Sequence, residues 1–124
     1  MVAKKCILLV EDDQSLSSFI KLVLEKNGCE VHTAFDGEEA VQLFEHHKPD
    51  LVLLDVLIPK MTGWDVIKYI RQDENLKDIP VVVMSNLDGP ERQLEMEMSG
   101  ANEYVVKVNL SKQELLDLVK KYLA

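Results

Sequence analysis

Basic residues are in short supply in this chain of 124 residues: 14 Lys and Arg stand against 22 Asp and Glu, a formal net charge of −8. Phosphate contacts need a basic surface, so this balance argues against nucleic-acid binding by the domain alone. No apolar stretch approaches membrane-spanning length. The opening Met1-Val2-Ala3-Lys4-Lys5 is short and runs directly into a strand-like segment, so it does not read as a signal peptide. A cytoplasmic protein is the expectation. Cysteine is scarce: the 2 present, Cys6 and Cys29, lack the spacing of a metal site. Both read as buried free thiols that act as small apolar residues. His32, His46 and His47 fall away from the candidate site described below and receive no catalytic or metal role. Linkers, low-complexity tracts and Pro/Gly-rich boundaries are missing as well, with only 4 Pro and 5 Gly. The length fits one domain with one core, and an apolar content of 47% argues against disorder.

What is present is a regular alternation. Strand-like segments run over Lys5–Val10, Cys29–Ala34, Asp50–Asp55, Ile79–Ser85 and Asn102–Lys107. Helix-like segments lie between and after them. Gln14–Asn27 carries Leu16, Phe19, Ile20, Val23 and Leu24, and Asn27-Gly28 stops it. Gly37–His47 carries Ala40, Val41 and Phe44 behind an Asp36 cap. Thr62–Asp73, capped by Thr62, carries Val66, Ile67 and Ile70. Gly89–Ser99 sets Leu94 and Met98 on one face. Ser111–Leu123 opens with a capping-box pattern, Ser111 and Glu114. Alternation of this kind means a parallel sheet with helices on both faces. A closed eight-stranded barrel needs about twice the length. An α/β fold with an open, doubly wound, five-stranded sheet remains, and its common strand order is 2-1-3-4-5.

That order gathers the ends of strands one, three and four. Leu51-Val52-Leu53-Leu54 reads as a strand buried on both faces, and Asp55 stands at its carboxyl end. Ile7-Leu8-Leu9-Val10 leads likewise into Glu11-Asp12-Asp13. Carboxylates crowded at one sheet edge repel unless a cation sits among them. Asp12 and Asp55 offer hard oxygens suited to Mg²⁺, with Mn²⁺ as a substitute. Ser85 ends the fourth strand with a hydroxyl, and Lys107 ends the fifth with a cation. A carboxylate nucleophile, a metal, a lysine and a hydroxyl together can clamp a phosphoryl group in transfer.

Over essentially its whole length the chain resembles a response-regulator receiver domain of two-component signalling, in its stand-alone, chemotaxis-regulator-like form. The resemblance rests on Leu9-Val10-Glu11-Asp12-Asp13, Leu53-Leu54-Asp55-Val56-Leu57-Ile58-Pro59, Gly63, Ser85 and Lys107, in that order. It implies Asp55 as phosphoacceptor, Asp12 as a direct metal ligand and Glu11 as a ligand through water. It also implies the Leu57 backbone carbonyl as a further ligand, and Ser85 and Tyr104 as switch residues. Asp13 then starts the first helix; the alternative register is Asp12-Asp13. The implied donor is a sensor histidine kinase or a histidine phosphotransfer protein, and the implied output is docking on an effector or onward relay. The protein is then not a turnover enzyme, and it is a monomer or a phosphorylation-linked dimer. One receiver domain over residues 1–124, with no output domain, is the expectation.

Three positions depart from the family pattern. Val108 follows the lysine where proline is usual, and a cis bond before it would cost ~2.5–4 kcal/mol. Asn86 follows the switch serine where a small residue is common. Leu57 and Leu87 occupy positions that tune hydrolysis, and neither can orient an attacking water. A long-lived phosphoryl state is therefore expected. Three rival readings are weaker. A flavin carrier needs a Ser/Thr/Gly-rich phosphate loop after strand one, where this chain has acids. A phosphoaspartate hydrolase places its nucleophile after strand one, not strand three. A pseudo-receiver that only binds proteins would not need the complete site.

Overall fold

The computed structural model describes residues 4–56, 61–86, 90–107 and 110–123, without the side chains of residues 90–93 and 96. Five strands, β1 (Lys5–Val10), β2 (Cys29–Ala34), β3 (Leu51–Leu54), β4 (Val81–Ser85) and β5 (Glu103–Val106), alternate with five helices. The helices are α1 (Gln14–Lys26), α2 (Gly37–His46), α3 (Gly63–Gln72), α4 (Pro90–Ser99) and α5 (Lys112–Leu123). The sheet is parallel in the order β2-β1-β3-β4-β5, as the alternation predicts.

The central strands are apolar on both faces because helices cover both. Side chains alternate across a strand, and the core divides accordingly. Leu8, Val10, Val52, Leu54, Val81 and Val83 pack with Phe44 of α2 and Val66, Ile67 and Ile70 of α3. Ile7, Leu9, Leu51, Leu53, Val82 and Met84 pack with Ile20, Val23 and Leu24 of α1 and Leu115 and Val119 of α5. Burying each such side chain contributes about 1.5–3 kcal/mol. Phe19 lies at the edge of the α1 stripe and is half exposed, and Leu94 and Met98 of α4 are both exposed.

Local chemistry sets the element ends. Asp13 caps α1, accepting from Leu16 N at 3.1 Å, and Asp36 caps α2, accepting from Glu39 N at 2.8 Å. Thr62 and Asp65 form a reciprocal capping box on α3. At α5 the Ser111 hydroxyl accepts from Glu114 N at 3.1 Å. Gly28 ends α1 at φ 88°, in the left-handed region that only glycine enters cheaply. β4 starts at Val81, later than its apolar run suggests, because Pro80 has no N–H for the ladder. Its carbonyl still accepts from Val52 N at 3.0 Å.

One side chain ties the end of α3 to the sheet. The Arg71 guanidinium donates to the carbonyls of Gly100, Lys77 and Ile79 and to Asn102 Oδ1, at 2.7–3.0 Å. Asn102 Oδ1 also accepts from Val81 N at 2.8 Å, so the starts of β4 and β5 share this hub.

Candidate functional site

The candidate site lies at the carboxyl edge of the three central strands. Backbone pairing continues one residue past β1 and β3: Glu11 N donates to Ala34 O and Asp55 N to Val10 O, both at 3.0 Å. Both carboxylates are therefore held on sheet-like backbone rather than on free loop. Asp55 is only 4% exposed and Glu11 is fully buried.

The N-terminus of α3 comes unusually close behind Asp55. Gly63 N donates to Val56 O at 3.0 Å. A Cβ on Gly63 would sit 2.5 Å from Val56 Cα and 2.7 Å from Asp55 O, so only glycine fits.

Lys107 bridges the two buried acids. Its Nζ donates to Glu11 Oε1 at 2.6 Å and to Asp55 Oδ2 at 2.8 Å. The second oxygen of Glu11 accepts from Asp13 N at 3.2 Å. Burial pushes the Glu11 carboxyl above its ordinary value, against the opposing pull of Lys107 and the Asp13 amide. Burial alone would lower the Lys107 ammonium, but hydrogen bonds and charge from Asp55 and Glu11 raise it.

Asp12 completes the cluster from an exposed position: one oxygen each of Glu11, Asp12 and Asp55 lies within 4.8 Å of the others. Among the described residues of this cluster, three carboxylates face one ammonium, Lys107, which leaves two negative charges uncompensated. That deficit matches one divalent cation, and hard carboxylate oxygens suit Mg²⁺. Asp13 is engaged as the α1 cap, and the acids whose oxygens lie close together are Glu11, Asp12 and Asp55.

Ser85 ends β4 fully buried and in register with Val106, one residue before Lys107. Tyr104 pairs with Val83, is half-buried, and packs on the same core face as Val83. Strand alternation puts Ser85 on that face too, so the two lie on one sheet face in adjacent strands, diagonally placed. Leu57, Leu87 and Val108 lie outside the described residues, and the expectations attached to them stay as stated. Asn86 is exposed. Two features escape a reading of the sequence: the Gly63 approach and the double engagement of Glu11. The Lys107 contact joins residues 96 apart, and the Gly63 approach is set by how closely α3 packs on the end of β3.

Comparison with known proteins places this geometry. Residues 7–120 match the family described as response regulator receiver domain. The uncharacterized transcriptional regulatory protein YcbL of Bacillus subtilis is 42% identical over 100 residues, 81% of this chain and 43% of that protein. The polar-differentiation response regulator DivK of Brucella anthropi is 28% identical over 119 residues, 96% of each chain. The chemotaxis response regulator CheY4 of Vibrio cholerae superposes with a TM-score of 0.90 at 29% identity, covering 97% of this chain and 99% of that one. Against the first five transcriptional regulators matched, the chain spans only 40–43% of their length. Among the described residues, no helix is long and apolar enough to cross a membrane. Fold, strand order and a family match over nearly the full length agree, and this chain belongs to the response-regulator receiver domains of two-component signalling.

Proposed function

We propose that the chain is a phosphorylation-driven switch with Asp55 as its acceptor. The observation that carries this reading is the Lys107 bridge between Asp55 and Glu11, with Asp12 beside them. An Asp55 carboxylate oxygen attacks the phosphorus of a phosphohistidine or a small phosphoryl donor. The new O–P bond forms as the donor's bond to phosphorus breaks, and the leaving imidazole takes up a proton. The near-complete burial of Asp55 limits competition from bulk water. The Lys107 ammonium already touches Asp55 and is in reach of the incoming phosphoryl oxygens. Asp12 and Asp55, with Glu11 through water and the Leu57 carbonyl as the family implies, would hold Mg²⁺ or Mn²⁺, which would supply neutralisation of phosphoryl charge.

The Ser85 hydroxyl then donates to a phosphoryl oxygen, and Tyr104 follows it inward on the same sheet face. The surface formed by α4, β5 and α5 changes as a two-state population shift. A sensor histidine kinase or histidine phosphotransfer protein supplies the phosphoryl group, and an effector reads the altered surface. The chain acts as a monomer or a phosphorylation-linked dimer, and as a cytoplasmic protein. It is consumed and reset with its signal and turns over no separate substrate.

Acetyl phosphate with Mg²⁺ tests the acceptor. Intact mass should rise by one phosphoryl group in the wild type and stay unchanged in Asp55→Asn. No gain, or an equal gain in the variant, rejects Asp55.

A further inference from the structure

A second cluster of donor atoms sits at the opposite edge of the sheet. β1 and β2 pair Cys6 with Glu30 and Leu8 with His32. Strand alternation puts Cys6, Glu30 and His32 on one face, at the amino edge. The Cys6 sulfur, a Glu30 carboxylate oxygen and a His32 ring nitrogen all lie within 4.8 Å of one another.

The His32 nitrogen is the telling atom. Nε2 is buried and has no hydrogen-bond partner among the described residues. It lies 3.5 Å from Glu30 Oε2, within ion-pair range but not hydrogen-bonded to it. Two ligands at bond lengths of about 2.0–2.2 Å on one tetrahedral ion stand about 3.4 Å apart. The observed spacing matches two atoms flanking a cation as well as a direct ion pair. The His47 ring stacks on His32, with centroids 4.0 Å apart, and holds the imidazole plane. Asp50 accepts from Cys6 N at 2.8 Å and fixes the backbone beneath the thiol.

We propose that Cys6, Glu30 and His32 form a binding site for a borderline divalent metal of the zinc class. Thiolate, imidazole and carboxylate are the donors such ions take, and they are unlike the all-oxygen set that suits Mg²⁺. Three protein ligands leave a fourth position for water. Glu30 is exposed and Cys6 partly so, which gives the ion a way in and lets both side chains close about an ångström onto it. Burial, with Glu30 and Asp50 nearby, holds the Cys6 thiol above its ordinary value, so the metal displaces a proton to solvent on binding. A direct Glu30–His32 ion pair is the alternative, and it holds no metal.

Cobalt serves as the probe, because a cobalt–thiolate bond has a charge-transfer band. Titrating the full chain with Co²⁺ under reducing conditions should raise that band to one equivalent, and Zn²⁺ should bleach it. Cys6→Ser should abolish the band; Cys29→Ser and Asp55→Asn should keep it. His32→Gln and Glu30→Gln should weaken binding on the order of tenfold or more. Position 30 is exposed, so Glu30→Gln remains informative even where a buried variant fails to fold. The proposal is overturned by no band in the wild type, by a band that survives Cys6→Ser, or by an affinity unmoved in Glu30→Gln.

Discussion

At Lys107 one ammonium group bridges two buried carboxylates, Glu11 and Asp55, and offsets part of their charge. Glu11 is fully buried, so removing its counter-charge leaves an uncompensated ion inside the protein. Lys107→Met should destabilise the metal-free protein by about 3–5 kcal/mol at neutral pH, read by urea denaturation. The pH dependence has a definite sign. Both groups have folded values above their ordinary ones. The stability from Lys107 is complete below the ordinary lysine range and is lost as pH rises through its raised folded value. A raised carboxyl favours its neutral form, so the Glu11 contribution falls as pH climbs through its own folded value. The cost of Lys107→Met should therefore shrink in acid, where Glu11 is neutral. A cost that grows in acid contradicts the pairing.

Tyr122 offers a cleaner titration. Its hydroxyl donates to Glu103 Oε1 at 2.6 Å. Burial, then the Glu103 hydrogen bond and charge, push the phenol up to about 12. Phenolate absorbance from this residue should appear near that value, above the ordinary tyrosine range. Glu103→Gln should bring it part of the way back. The stability it contributes is present below about 10 and is lost as pH rises from there to about 12.

Elements were legible where period and punctuation agreed. The apolar runs of β1, β3 and β4 and the stripes of α1, α3 and α5 announce themselves because each is buried along a whole face. Asp13, Asp36, Thr62 and Ser111 mark helix starts by chemistry that is local in sequence. Less legible was anything set by the approach of two elements. α3 meets the end of β3 through Gly63, where an added Cβ would sit only 2.5 Å from Val56 Cα, closer than any side chain tolerates. Gly63→Ala should push α3 outward, cost about 1–3 kcal/mol and slow phosphoryl gain at Asp55. Denaturation and the acetyl phosphate mass assay measure the two effects. Unchanged rate and stability would show that the loop adapts freely. Arg71 was likewise silent in sequence, because its four acceptors come from segments up to 31 residues away.

For the molecule as a whole, the carboxyl edge was readable because a parallel sheet gathers strand ends, so Glu11, Asp12, Asp55 and Lys107 meet by topology alone. The amino-edge cluster was not: Cys6, Glu30 and His32 come from paired strands, so no ligand spacing marks them along the chain. The lifetime of the phosphoryl state belongs to the same scale. If Leu57 and Leu87 hold the hydrolysis-tuning positions that the family pattern implies, loss of phosphate should be slow, because neither can orient an attacking water. Leu57→Asn or Leu87→Glu should speed it, as followed by decay of the phosphorylated mass. No change in either variant would remove the explanation.

The two clusters share β1, with Cys6 near its start and Glu11 just past its end. At about 3.3 Å per residue, the five steps between them span about 16 Å. That exceeds the Debye length of about 10 Å in 0.1 M salt. Ions at the two ends would then be largely blind to each other's charge through solvent. An influence of the amino edge on the acceptor carried by a shift in strand position should persist at high salt.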